Sequence, residues 1–490
     1  MFNKKIIIVG SGTSGLIAAL MLKTRFQQAN VKILYSKKID IIGVGEATTE
    51  HLKRFMLYCD ISFKDFICKT DATVKLYIKF IDWTKKDYYH HVGGVEVKEL
   101  VKYFYYFGSI ISKNLPKKYV LSDIAYKYGK IDFDHAKGTN WDIANQYNFD
   151  TFKLNILLTD KAKEIGIEFE EDFINDIFFD EQGFVSSLKG EKKNYTADFY
   201  IDASGFNRTI IKKINSFRWI SYQKFLPLDR ALVFPDIIEK DFKYTMCTTS
   251  KALNYGWNFQ VPTQTRTGNG YIYTSEYISD DEAVDEISKV YKKKIKPAKF
   301  FNLNAGRLNK FWIKNVITLG ISSSFVEPLE ATAISSTIQQ TFLLIDYLAS
   351  EDRDSFNEHS EKLFENIVDF LQLHYYVDKK DSNFWRELKK NLVWRENVIL
   401  NIKKAQNRLL NTDDFQNHPR NLLFGPVNWN CVLFGLDLFN IEKIKKEFDN
   451  MVPNWLLPEI ENYLNFKANY QKRNLIDELS IYKMIKNESK

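Results

Sequence analysis

One hexapeptide, Gly10-Ser11-Gly12-Thr13-Ser14-Gly15, constrains this chain more than any other feature, because of where it stands. It follows the apolar run Ile6 to Val9 and opens the helical pattern Leu16 to Phe26, after which Val31 to Tyr35 reads as a second strand. Strand, glycine turn, helix and strand make one βαβ unit. In such a unit the first glycine permits a tight turn, the second lets the backbone approach a pyrophosphate, and the third allows close helix-to-strand packing. The phosphates sit on the helix N-terminus. A glycine fingerprint alone is weak, but this placement predicts a dinucleotide site built from Gly10, Gly12, Thr13, Ser14 and Gly15. The second strand ends in Tyr35, where an acidic residue usually holds the ribose hydroxyls, so Tyr35 and Ser36 become the candidates for the adenosine side. Gly268 and Gly270 lack a third glycine, so a single dinucleotide is expected.

Later segments return to the same theme. Phe199 to Ala203 runs into Ser204-Gly205-Phe206, and Val316 to Gly320 precedes a helix beginning near Thr332. Strands that rejoin one sheet from distant segments imply a discontinuous core with long insertions, and they bring Gly320 towards the cofactor. From about residue 341 the apolar spacing is helical, with breaks near Asn417-His418-Pro419, Pro453 and Pro458. The expected fold is α/β with α+β insertions: a Rossmann-like core over residues 1–340 and a mainly helical part over 341–490.

Composition narrows the function classes. With 45% hydrophobic residues, 10 Pro, 21 Gly and no repeat, the chain can bury a large core almost throughout. Lys+Arg number 69 against 62 Asp+Glu, and the densest basic stretch, Tyr291 to Lys296, lies in a mixed helical pattern. A solvated face explains it better than nucleic-acid binding. Four separated cysteines suit a reducing cytoplasm rather than a disulfide framework or a zinc site. The seven histidines show no metal spacing, and His90-His91 would point to opposite faces of a strand, so no metal is expected. The first apolar run is interrupted by the glycine turn and no stretch is long enough to span a bilayer, so neither a signal peptide nor a membrane segment is expected.

Several further segments, in order, resemble the flavin-dependent halogenases of the tryptophan halogenase type. Gly43-Val44-Gly45-Glu46-Ala47-Thr48 resembles the family's strap over the flavin, and Asp71-Ala72-Thr73-Val74-Lys75 with Phe80-Ile81-Asp82-Trp83 resembles the stretch that carries its catalytic lysine. Tyr147-Asn148-Phe149-Asp150 and Ile201 to Phe206 match recurring core segments. Gly256 to Pro262 stands where the family has WxWxIP, and Phe325-Val326-Glu327-Pro328-Leu329-Glu330-Ala331-Thr332 is similar to its FVEPLEST. His374-Tyr375 and Phe384-Trp385 extend the likeness more weakly. Phe259 departs from the second Trp, Val261 from Ile, Ala331 from Ser, and Ala333 from a Gly expected near the halide. No C-terminal segment matches the residues that clasp free tryptophan in the family, so tryptophan does not follow as the substrate.

The resemblance implies an FAD-binding core of the flavin monooxygenase/halogenase type. In that family reduced FAD (FADH2) and oxygen turn a halide ion into hypohalous acid, which crosses the interior to a lysine, here Lys75. The protein supplies position and polarity and the flavin supplies the redox step. Gly45, Glu46, Ala47 and Thr48 would cover the flavin. Trp257, Phe259 and Pro262 would lie on its substrate side, and Thr332 and Ala333 would offer amides to the halide. Bromide or iodide would then suit the site better than chloride, since the Ala333 methyl group should loosen it. Glu330 would accept the proton lost as the substrate rearomatises, and Glu330→Gln would slow turnover at little cost in stability. By periodicity alone Lys75 is a strand lysine facing solvent, Lys79 is its nearby competitor, and Glu330 or Glu327 is an ordinary acid at a helix start. The implied partners are a separate flavin reductase and a small electron-rich aromatic substrate, with a homo-oligomer left open. A flavin monooxygenase would not need Lys75 or Glu330, and a non-catalytic flavin-binding protein would follow if the departures had ruined the site.

Overall fold

The computed structural model describes residues 2–39, 46–90, 130–132, 146–238, 242–415, 421–451, 458 and 475–488. Gly43, Val44 and Gly45 of the strap lie outside them, as do His91, the break at Asn417-His418-Pro419 and Pro453. In chain order the elements that place the site are β1 (Lys5–Val9), α1 (Thr13–Arg25), β2 (Asn30–Tyr35), β3 (Glu46–Ala47), β4 (Thr73–Lys75), β5 (Tyr77–Ile81), β6 (Tyr88–His90), β7 (Gln146–Phe149), α2 (Thr151–Glu164), β8 (Glu168–Glu171) and β9 (Phe199–Asp202). They continue with β10 (Arg230–Ile237), β11 (Cys247–Leu253), β12 (Gly256–Pro262), β13 (Arg266–Tyr273), β14 (Lys299–Asn302), β15 (Trp312–Ile313) and β16 (Val316–Thr318). Then come α3 (Thr332–Leu348), α4 (Arg353–His374), α5 (Pro426–Gly435) and, at the end, α6 (Glu478–Asn487).

The nucleotide-binding sheet has the order β15-β16-β9-β1-β2-β8. All pairings are parallel except that of β15 with β16. Its central strand is apolar on both faces, with Ile6, Ile7 and Ile8 wholly buried, as expected where helices cover a parallel sheet. The α1 helix is buried from Gly15 to Leu22 and packs against α2 and α3. The expected βαβ unit and the strands returning from residues 199 and 316 are therefore present.

A second sheet, β14-β10-β13-β12-β11-β5-β6, is antiparallel except where β5 runs parallel to β11. A third, small antiparallel sheet has the order β3-β7-β4 and touches β11 and β12 of the second. Because β7 is its middle strand, the strap residues and the lysine strand meet across it. This small sheet decides the site. The helices after residue 341 include the long α4, and the short strand Leu475–Asp477 pairs with Lys130–Asp132 before α6 turns back onto the core. No helix among the described residues is long and apolar enough to cross a membrane.

Candidate active site

The glycine turn leaves a cradle at the start of α1. Gly10 has φ +117°, and a Cβ there would lie 2.4 Å from the Ala203 carbonyl oxygen, so the turn excludes every side chain. A Cβ on Gly15 would lie 2.0 Å from the Gly10 oxygen, which is the close helix-to-strand approach the fingerprint requires. At Gly12, by contrast, a Cβ would meet nothing within 4 Å. Gly12 is the N-cap of α1, no side chain caps the helix, and its first turn carries no acidic residue. Unsatisfied helix-start amides beside open space fit a pyrophosphate. The Thr13 hydroxyl donates to Asn155 Oδ1 and Ser14 Oγ lies 3.3 Å from Thr337 Oγ1, so these two residues offer backbone rather than side chain. Gly320, at φ +64°, approaches so closely that a Cβ would lie 2.1 Å from Ser14 Oγ. Tyr35 and Ser36 end β2 beside the turn, where Gly10 N–H donates to the Leu34 oxygen.

Lys75 is 1% exposed, which overturns the solvent-facing reading. Its ammonium donates to the Thr48 carbonyl at 2.8 Å, across the small sheet, and makes no ion pair among the described residues. Burial pushes it down to about 8, with the charge of Glu330 pulling the other way. Lys79 instead pairs with Asp87 at 3.1 Å, so the competitor is spoken for. Gln146 stands opposite Lys75 in the β4–β7 register and shares its face. Its side-chain amide is buried, with neither oxygen nor nitrogen hydrogen-bonded among the described residues. An orphaned buried amide is costly, and one beside a desolvated lysine fits a place where a polar ligand is received.

Glu330 is wholly buried between two histidines. His90 Nδ1 lies 2.8 Å from Oε2, and His374 Nε2 lies 2.7 Å from Oε1 without hydrogen-bond alignment. Neighbours orient both rings. Asn428 accepts the Gly425 N–H through Oδ1, so its Nδ2 donates to His90 Nε2 and His90 Nδ1–H faces Glu330. His374 donates from Nδ1 to the Phe370 oxygen, which leaves Nε2 towards Glu330 Oε1. Burial by itself would raise Glu330, but His90 and His374 overcome it and hold the carboxyl at about 2. Sequence reasoning passed over both rings as partners of this acid. The only signal was the weak His374-Tyr375 likeness, since residues 240 positions apart cannot be paired by local pattern.

Glu327 is a different kind of acid. Tyr375 donates to it at 2.7 and 2.8 Å and accepts from Trp257 Nε1 at 3.1 Å, tying the flavin-side motif to α4. Burial raises Glu327 to about 8, against the Tyr375 hydrogen bond. Tyr375→Phe should strand both neighbours and lower stability by about 1–3 kcal/mol, seen as a drop in melting temperature. The Phe259 ring lies 6.1 Å from that of Trp257 and occupies the space left by Gly270, where a Cβ would come within 2.4 Å of it. The Pro262 carbonyl accepts from Thr73 Oγ1 at 2.6 Å, fastening the motif to the lysine strand. Thr332 and Ala333 are the first two residues of α3, behind the left-handed Ala331 (φ +55°), and no side chain caps their amides.

The family described as tryptophan halogenase matches residues 5–450. The tryptophan 7-halogenase RebH of Lentzea aerocolonigenes is 27% identical over 483 residues, covering 89% of each chain. The tryptophan 6-halogenase ThaL of Streptomyces albogriseolus is also 27% identical, over 78% of each. Among solved structures, the tryptophan halogenase of Shewanella frigidimarina superposes with a TM-score of 0.89 at 21% identity, over 99% of this chain and 97% of that one, a likeness of fold. The chain therefore belongs to the tryptophan halogenase family of flavin-dependent halogenases.

Proposed function

We propose that the protein uses reduced FAD, oxygen and a halide to halogenate an electron-rich aromatic or heteroaromatic small molecule, through hypohalous acid relayed to Lys75. The observation that carries this reading is Lys75 itself, a desolvated lysine without an ion pair among the described residues, beside a carboxylate kept ionised. Bound reduced FAD would supply the two-electron oxidation of halide at the expense of oxygen. Gly10, Gly12, Thr13, Ser14, Gly15 and Gly320 would hold the pyrophosphate side, with Tyr35 and Ser36 on the adenosine. Gly45, Glu46, Ala47 and Thr48 would strap the isoalloxazine, with Trp257, Phe259 and Pro262 across from it.

Lys75 has two ways to direct the halogen. As a neutral amine it takes the halogen from hypohalous acid, releasing water, and then passes it to the ring carbon in exchange for that carbon's proton. As an ammonium it hydrogen-bonds the acid in place, and the ring takes the halogen directly, the departing hydroxide leaving as water with the proton that the ring gives up. In both, the ring must lose a proton. A carboxylate held near 2 is a weak base, but the C–H of a halogenated cationic ring is acidic enough to need no stronger one, and each Glu330 oxygen retains a free lone pair.

Incubation with a separate flavin reductase, reduced FAD, oxygen, each halide and a panel of indoles, phenols and anilines, read by mass spectrometry, tests the proposal. Halide-dependent mass shifts support it, whereas a hydroxylated product identifies a monooxygenase, and flavin binding without product a non-catalytic flavoprotein. The uncapped amides of Thr332 and Ala333 would receive the halide. Chloride, the more strongly hydrated ion, needs closer donors, so bromide or iodide should win in competition at equal concentrations. Ala333→Gly should raise relative chloride incorporation, and dominant chlorination by the parent enzyme refutes the preference.

A further inference from the structure

The strand that carries Lys75 is three residues long and its register matters greatly. A slip of one residue in a β-strand exchanges its faces, which would turn Lys75 away from the face it shares with Gln146. Three residues on one ladder hold register weakly. The inner edge of β4 pairs with β7, placing Lys75 opposite Gln146. Val74 N–H and Leu76 N–H, two residues apart, share the outer edge, and both are held. Leu76 N–H donates to the Met246 carbonyl at 2.8 Å, and Met246 adopts φ +52°. Val74 N–H donates to Glu478 Oε1 and to the Tyr482 hydroxyl, each at 2.8 Å. The Tyr482 hydroxyl in turn donates to that same carboxylate oxygen.

Glu478 and Tyr482 belong to the last helix, 404 residues from Val74 in the case of Glu478. Both side chains are buried, at 1% and 3% exposure, and the second Glu478 oxygen has no hydrogen-bond partner among the described residues. The helix is fastened at a second point, since Lys486 donates to Gln264 Oε1 while Gln264 Nε2 donates to the carbonyl of Ala72, at the start of the same strand. A carboxyl group buried far from solvent to receive one peptide N–H and one tyrosine hydroxyl is an expensive arrangement for fold stability alone. Its position beside Lys75 gives it a use.

We infer that Glu478, with Tyr482, is a positioning residue that clamps the outer edge of β4 and so keeps Lys75 aligned with Thr48 and Glu330 as the halogenating agent arrives. The inference rests on the proposed role of Lys75. Loosening the clamp should leave halide oxidation running while the product step fails, because a displacement of about 1 Å at a reacting group costs as much as ~100-fold in rate.

The test uses the full-length enzyme with reduced FAD, bromide and the accepted substrate. Glu478→Ala is expected to lower kcat ~10- to 100-fold with KM little changed, while reduced-flavin oxidation continues and free hypobromous acid, trapped by monochlorodimedone, increases. Hydrogen exchange at Val74 to Leu76 should speed up while β1 stays protected. Glu478→Gln keeps an acceptor oxygen and should restore most of the product, and Tyr482→Phe should fall between. Should Glu478→Ala fail to fold, Tyr482→Phe carries the same readouts, with Glu478→Gln as the rescued control. Normal product formation without leakage, or equal losses in the Ala and Gln variants, would overturn the inference. Lys75→Ala separates the two claims: if it still makes product, the Lys75 role falls, and if it is inactive while Glu478→Ala behaves as the parent, only the clamp falls.

Discussion

Lys75→Ala is expected to lose halogenated product by ~10²–10⁴-fold, the range for removing a group that acts directly on the reacting atoms, while flavin binding and reduced-flavin oxidation stay near parental values. Among the described residues Lys75 hydrogen-bonds the strap at the Thr48 carbonyl, and it would act after the halide has been oxidised, so the earlier steps have no reason to stop. Full product formation by the variant would sink the mechanism. The pH profile then separates the two modes of action. With the ammonium pushed down to about 8, product formation through the neutral amine rises as pH passes through 8, whereas positioning by the ammonium falls there. Lys75→Arg, which stays charged, can sustain only the second mode. Because burial disfavours the charged lysine in the native state, the residue costs stability at every pH below its ordinary 10.5, and Lys75→Met should match or exceed the parent in thermal melts.

Glu330→Gln should lower turnover by ~100-fold or more and, against the expectation from sequence, should also destabilise the fold. The carboxylate lies between the His90 and His374 rings and accepts from His90, all three wholly buried. Replacing it removes the charge that both buried rings face, and a buried polar group left short of its partner typically costs about 1–3 kcal/mol. The sign of the pH dependence follows from the same contacts. A carboxyl at about 2 in the folded chain and near 4.5 when unfolded contributes stability that is full above 4.5 and disappears as pH falls through 2. Acid denaturation of the parent should therefore show a loss between those values that Glu330→Gln lacks. An unchanged melting temperature would mean that the histidine pairing is energetically empty, and unchanged turnover would shift the acid's role to Glu327, whose carboxyl is instead raised to about 8 and held by Tyr375.

The sequence by itself determined the βαβ start, because its signals are local: an apolar strand, glycines at fixed offsets and a helix within about thirty residues. It also determined the order of the motifs, and through their resemblance the choice of Lys75 and Glu330. It misjudged Lys75 by periodicity, since alternation along Val74 to Lys79 describes one strand and not the sheet that closes over it. The chain bends between Lys75 and Tyr77, so Lys75 and Lys79 fall on different strands in different sheets, one buried and unpaired among the described residues, the other held by Asp87. Only the tertiary structure decided which side chains share a desolvated space. His90, Glu330 and His374 come from β6, the turn before α3 and the end of α4, while Glu478 arrives at Val74 from the last helix. Desolvation and charge pairing act through space over a few ångströms, whereas sequence pattern reports neighbours along the chain, so the burial of Lys75 and the low proton affinity of Glu330 could arise only once distant strands and helices had packed.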